Sequence, residues 1–326
     1  MKTNLRGFVL RLLISLLSVG LVAFFLRDKL DDAILILRRD VVWPWFAVGS
    51  SVYLVALAII ALRMKYVFRV QQMEVSFSES MYLGFIGLFF NLFLPSAVGG
   101  DIAKAYFVYK HTGKKIESMT AVILDRLMGF VAMSLMAVIA LSLYSKELND
   151  PRIDKVIYIF MALMLVIVCF LGSRRFARLF KFVVVLIPST ALKDKLKSVY
   201  YAFYGYKYHM HILIFSVLLS LIAQSFFIFV HYLLAVSMGI QLNLWIFFVI
   251  IPIITIVSMT PSLGGLGVRE ASAVYLFSRF MSPEHALALS ILIDLLIYGA
   301  SFLSGLLFSL KGGLKAKTIH EMEELE

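Results

Sequence analysis

Apolar residues run through this chain in long blocks that are separated by short charged clusters. Six blocks are essentially unbroken: 8–26, 41–62, 119–143, 154–171, 209–236 and 286–310. A helix needs roughly 20 residues, rising about 1.5 Å each, to cross a hydrocarbon layer of about 30 Å. Each block therefore predicts a membrane-spanning helix. None alternates with the two-residue period of an outer-membrane barrel strand. The first block lacks a small-residue cleavage site and a second follows soon after, so it reads as a mature helix and not as a signal peptide.

Two further apolar regions, 78–109 and 244–281, break near their middles. The first break reads NLFLPSAVGGDIAKAYFVYK and the second SMTPSLGGLGVREASAVYLF. Pro95, Gly99 and Gly100 mark one, and Pro261, Gly264, Gly265 and Gly267 the other. Proline removes a backbone donor and stops the helix upstream, while glycine permits tight or left-handed backbone. Each region is either two short spans or one broken helical hairpin.

Flanking charge separates these options. Basic clusters precede residue 8 and fill 63–77, 110–118, 172–208 and the stretch after 310. Under the positive-inside rule these segments are cytoplasmic. Segment 27–40 balances four basic against four acidic residues, segment 145–155 three against three, and 237–243 carries no charge; these read as external. The first broken region then enters and leaves on the inner side, and the second on the outer side. The expected fold is all-α and polytopic, with six full spans around two opposed, broken re-entrant hairpins. Both termini are expected in the cytoplasm, with the chain in the inner (cytoplasmic) membrane. Residues 1–310 form one transmembrane domain, with an interfacial segment at 172–208, and 311–326 form a short tail. The two breaks share Pro-Ser followed by Gly-Gly. That pattern suits an inverted repeat and also suits chance similarity between glycine-rich loops.

Composition agrees with the pattern. Of 326 residues, 61% are hydrophobic and 16% charged, against about 25% charged in a soluble domain. The net charge of +11 follows from the inside bias. Basic and aromatic residues mix in 172–208, which suits helices lying against anionic headgroups as well as ordinary belt residues. Its position between two spans argues against nucleic-acid binding. The lone Cys169 excludes an internal disulfide and a multi-cysteine metal site.

Charge at membrane depth needs a partner or a task. Asn91 precedes the first break. Asp101 and Lys104 follow it, three apart on one helix face. They either neutralise each other or leave the helix start open to a phosphate. Arg269 follows the second break. Its planar fork suits phosphate oxygens, with Glu270 orienting it, or else it forms a structural pair with a carboxylate. Asp125 and Arg126 are adjacent and so need different partners: Lys104 or Arg269 for Asp125, and the inner interface or a ligand for Arg126. Asp294 is the most isolated acid. It either couples movement to a proton or holds a base in place. Gln224 and His231, seven apart on one face, read as interhelical hydrogen-bonding groups. Gly84, Gly87 and Gly129 read as close-packing positions. The sequence has no GxxxxGK[ST] loop, no HExxH and no multi-cysteine zinc pattern. No catalytic residue, cofactor or metal is expected.

The stretches LPSAVGGDIAKAYFVYKHTG (94–113), ILDRLMG (123–129) and PSLGGLGVRE (261–270) resemble the flippase-like membrane family related to the transmembrane part of lysylphosphatidylglycerol synthases. The resemblance covers essentially the whole chain. It implies movement of a phospholipid or a polyprenyl-phosphate-linked lipid between leaflets, and places the family's polar signature on Asp101, Lys104, Asp125, Arg126, Arg269 and Glu270. Lys104 stands where arginine is common in that pattern, which keeps the charge but not the fork. The aminoacyl-lipid synthases of this kind also carry a cytoplasmic transferase domain, for which this chain has no room. The expected partners are an anionic phospholipid or lipid-linked phosphate, the bilayer and a separate lipid-modifying enzyme. Two other readings stand beside transport: a membrane-embedded lipid-phosphate transferase, and a non-transporting, lipid-binding accessory protein.

Overall fold

The computed structural model describes residues 29–93, 99–148, 151–172, 201–258 and 267–310. The block at 8–26, residues 173–200 of the 172–208 segment, the 311–326 tail, and Pro95, Pro261, Gly264 and Gly265 lie outside the described residues. All regular structure among the described residues is helical. In chain order the helices are α1 (29–39), α2 (Trp43–Val70), α3 (Phe77–Phe93), α4 (Gly99–Thr112), α5 (Lys115–Leu148), α6 (Pro151–Gly172), α7 (Met210–Ser237), α8 (Leu244–Val257), α9 (Val268–Phe277) and α10 (Pro283–Leu310). A short helical stretch at 201–205 and a 3-10 turn, Tyr206–His209, lead into α7.

Four of these helices are long and apolar enough to cross a membrane: α2, α5, α7 with its leading turns, and α10. Their burial differs. In the apolar window of α5 and of α10, 56% is buried, against 22% in α2 and 28% in α7. Side chains such as Leu54, Ile214, Leu218 and Ile222 are therefore left outward. Exposed apolar surface on this scale in a helical chain belongs in lipid. The chain is a multi-pass membrane protein.

Three boundaries differ from the sequence reading. The helix α2 does not stop at residue 62 but continues to Val70, so Arg63 and Lys65 are helical, not loop, residues. The expected inner loop 110–118 shrinks to residues 113–114, because α4 runs to Thr112 and α5 begins at Lys115. Residues 29–39, read as an external loop, are helical. In each case charged residues were taken as loop markers, although lysine, arginine and acids at helix ends are compatible with helix.

The chain divides into two compact units, and several helices contribute to both. The first contains the start of α2, the end of α3 and start of α4, the second half of α7, and α8 to α10. Its packing is aromatic: the Phe247 ring lies 5.8 Å from Tyr232 and 5.3 Å from Phe277. The Val42 amide donates to the Ser237 carbonyl at 2.9 Å, tying the start of α2 to the end of α7. A Cβ added at Gly305 of α10 would meet the Phe89 ring at 2.1 Å, so this glycine is the seat on which α3 rests.

The second unit contains the end of α2, the start of α3, the rest of α4, α5, α6 and the start of α7. Its core joins Met64, Phe68, Met73, Val108, Leu124 and Met128. The turn after α2 is held from outside its own sequence. Lys114 Nζ donates to the Gln71 and Gln72 carbonyls at 3.2 and 3.1 Å, which leaves Gln72 at φ 54° with its carbonyl satisfied. Helix α3 opens with a reciprocal capping box: the Glu79 amide donates to Ser76 Oγ at 3.2 Å, and the Ser76 amide to Glu79 Oε2 at 2.7 Å. The Ser76 hydroxyl, then its amide, hold the Glu79 carboxyl below the usual glutamate range.

Candidate functional site

The first break is built around a glycine. The helices α3 and α4 end and begin at residues 93 and 99. A Cβ at Gly100 would lie 2.1 Å from the Gly87 carbonyl oxygen and 2.7 Å from the Asn91 side chain. Only glycine allows so close an approach. Asn91 Oδ1 accepts the Gly100 amide at 2.8 Å, satisfying one of the orphan donors at the start of α4. Asn91 is thus a cap in this state, and the Gly100 amide is engaged. Gly99 is buried beside it. Asp101 occupies the first turn of α4, where an acid is favoured by the helix dipole. Asp101 and Lys104 are both half-buried.

The second break places the charges. Gly267 has φ 86°, a conformation that side chains rarely adopt, and opens α9. Its amide donates to a Glu270 carboxylate oxygen in a short contact. Glu270 therefore caps its own helix. Its other oxygen, Oε1, is buried with no hydrogen-bond partner among the described residues. Arg269 projects elsewhere. Its Nη1 forms an ion pair with Asp294 Oδ1 of α10 at 3.2 Å, and Nη2 donates to Tyr298 Oη at 2.8 Å. The guanidinium carbon is 5.6 Å from the centre of the Tyr298 ring. Tyr53 of α2 and Glu270 lie within electrostatic reach of Arg269, and Glu270 also of Asp294. Side-chain exposure is 13% for Arg269 and 10% for Asp294. A cluster of one guanidinium and two carboxyl groups is thus sealed inside one unit.

The acid that seemed most isolated has a partner. Asp294 pairs with Arg269 in the described state, an arrangement compatible with either of the options open for each residue. Asp125 also differs from expectation. It pairs neither with Lys104 nor with Arg269 but with Arg63, at 2.7 Å from Nε to Oδ1 and 2.8 Å from Nη2 to Oδ2. Arg63 Nη1 donates to Ser220 Oγ of α7 at 2.8 Å. Both charged side chains are buried, and the fork is fully used within the protein. A Cβ at Gly129 would sit 3.3 Å from Arg63 Nη1, so this glycine makes room for the pair.

Arg126, the neighbour of Asp125, points differently, as adjacent residues on a helix must. Its guanidinium carbon lies 5.5 Å from the Phe130 ring centre, within cation–π range. His231 lies at 2.9 Å, through Nδ1, from the Phe227 carbonyl of its own helix, and Phe227 stacks edge-on to it at 4.8 Å. The expected interhelical bond from His231 is thus an intrahelical one. Gly84 is not a close-packing position: nothing among the described residues stands within 4 Å of where its Cβ would be.

Three participants were missed by sequence reading: Arg63, Ser220 and Tyr298. Tyr298 lies one turn after Asp294, a spacing that places both on one face. Arg63 was counted as a loop charge. No group of three His, Cys, Asp or Glu side chains converges as a metal site among the described residues.

Helices long enough to span a bilayer, Gly-broken segments and charges sealed between them define a polytopic membrane protein with polar groups at depth. The sequence profile of the lysylphosphatidylglycerol synthase transmembrane region matches residues 8–305, and the chain belongs to that family. No curated protein and no solved structure matches it. Family membership gives the chain a flippase-like, lipid-handling membrane function in general terms.

Proposed function

We propose that this protein moves a phospholipid or a polyprenyl-phosphate-linked lipid between leaflets, and that the Arg269–Asp294–Tyr298 cluster is the gate of its headgroup site. The observation that carries this reading is a buried guanidinium, directly after a helix break, held by one carboxylate and one phenol. Those ligands are exchangeable. A lipid phosphate, like the Asp294 carboxylate, presents anionic oxygens that a guanidinium can bind, so it competes for the same donors. The described state is then the one without substrate, with Asp294 in the phosphate's place.

Charge sets a condition on the exchange. One guanidinium already faces two carboxyl groups, Glu270 and Asp294. A phosphate entering this buried site adds a further negative charge, which low-dielectric surroundings resist. Protonation of the displaced Asp294 removes the excess, so proton uptake accompanies headgroup entry. Asp101, in the same unit, is a further polar contact for the headgroup in this reading, and Asn91 caps the first break through the Gly100 amide.

The two breaks fall in the same compact unit. In this reading the two breaks belong to opposed hairpins, and the headgroup site between them is exposed alternately to either side; their shared unit is compatible with that. The test is leaflet-resolved transport of fluorescent phosphatidylglycerol and of a polyprenyl phosphate in proteoliposomes. Wild type should move one of them. Arg269→Ala should lose transport by about 100-fold, the scale of removing a charged hydrogen bond of about 3 kcal/mol. Tyr298→Phe should retain part of it. Absence of transport for both lipids, with the protein correctly folded, overturns the assignment and favours an accessory role.

A further inference from the structure

The second unit carries a cavity that the Arg269 cluster does not use. It has a volume of about 400 Å³ and lies where the end of α2 meets the start of α7. Arg69, His209 and His211 supply its polar side, and Tyr66, Ile212 and Phe215 its apolar side. The wall is built, not incidental. Gln71 Nε2 donates to the Ala202 carbonyl at 2.7 Å and Tyr206 Oη to the Val67 carbonyl at 3.1 Å, fixing the two helix ends together. Tyr66 and Phe215 pack edge to face at 5.1 Å. The two imidazoles stand 6.2 Å apart, and Arg69 occupies the last turn of α2, exposed.

Its surroundings identify the occupant. From the cavity an exposed apolar stripe runs along α7 through Ile214, Leu218 and Ile222, one residue per turn. Tyr201 and Tyr208, 67% and 68% exposed, stand at the same helix end. Exposed tyrosines mark the level of the headgroups, and an apolar stripe next to them marks the acyl layer. A fixed positive charge and two imidazole donors at that boundary meet an anionic oxygen, not a choline. A cavity of this size admits a phosphate with a small polar head, while the chains lie along the stripe.

We propose that Arg69, His209 and His211 form a separate binding site for the phosphate of an anionic glycerophospholipid, seated in the leaflet at the basic ends of α2 and α7. The site holds a resident lipid at the rim of the protein and is independent of Arg269. Lys65, Lys207 and Lys114, on the neighbouring turns, add to the attraction that anionic headgroups feel at this level.

The experiment uses the full chain in detergent and native mass spectrometry. Short-chain phosphatidylglycerol, short-chain phosphatidylcholine and inorganic phosphate are the three probes. The expected result is retained phosphatidylglycerol, with phosphatidylcholine and phosphate retained at least about five-fold less, the factor of one surface cation. In an Arg269→Ala background, which removes the other anionic-lipid site, Arg69→Ala combined with His209→Gln and His211→Gln should abolish the preference. Arg69→Lys should keep most of it. Gly84→Ala, which meets open space and touches neither site, should leave it unchanged. Equal retention of phosphatidylcholine overturns the proposal, as does a preference that survives the triple change. Retention of inorganic phosphate equal to that of phosphatidylglycerol assigns the site to free phosphate and also overturns it. A triple variant that unfolds is replaced by Arg69→Glu alone, which must lose the preference.

Discussion

At the scale of single residues, the protein spends its intramembrane charges on itself. Arg63 gives all three arms of its fork to Asp125 and Ser220. Removing one partner of such a pair leaves a buried charge unmatched, at a cost of about 3 kcal/mol or more. Arg63→Ala and Asp125→Ala should each lower stability by that order in mixed-micelle unfolding, while the double change should cost less than the sum of the two. Additive losses would show that the pair is not the unit of stability. Gly100→Ala should fail for another reason. The Gly87 carbonyl lies 2.1 Å from the added Cβ, and a backbone carbonyl cannot swing aside as a side chain can. A loss of about 2 kcal/mol is expected from overpacking, against little change for Gly84→Ala, where the space is open. The sequence singled out Asp125, Arg269 and Asp294 because charge in apolar runs is conspicuous. It did not reveal their partners. Pairing across 62 positions depends on how helices pack, and residue spacing does not record that.

At the scale of helices, what was legible followed from apolar length, and what was misread followed from charge. Nothing between residues 50 and 83 is Pro or Gly, so no local signal ends α2 at residue 62. Its basic residues only mimic a boundary. The breaks were legible because proline and glycine act locally, whatever surrounds them. The Ser76–Glu79 capping box is a second local signal. Its loss by Ser76→Ala should lower stability by about 1 kcal/mol. The carboxyl of Glu79 is held below its unfolded range, so its contribution is complete above that range and fades as pH falls through the folded value. The stability gap between wild type and Glu79→Gln should therefore be level above about pH 5 and close in acid. Because Glu79 is half exposed, solvent screens it and the gap should be small. A gap that widens in acid would contradict the cap.

At the scale of the whole molecule, the orientation in the bilayer is the property on which the transport reading most depends. Opposed hairpins need the first broken region to start and finish on the inner side, and the second on the outer side. The charge pattern supplies that expectation, and the shortened 113–114 connection keeps it. Lys114 and Lys115 remain at the turn, while 238–243 between α7 and α8 carries no charge. Translocating a lysine-rich turn is disfavoured, whereas an uncharged turn crosses readily. A chain with its only cysteine removed by Cys169→Ser allows a direct measurement. Lys115→Cys, Gln241→Cys and Asp32→Cys each place one thiol at an exposed position. In intact cells a membrane-impermeant maleimide should label the thiols at 241 and 32, and reach 115 only after permeabilisation. Labelling of 115 from outside would put the α4–α5 turn on the outer face. The two breaks would then open from the same side or α3 would be a full span. Either outcome removes the alternating cavity, because a headgroup needs broken backbone reachable from both leaflets in turn.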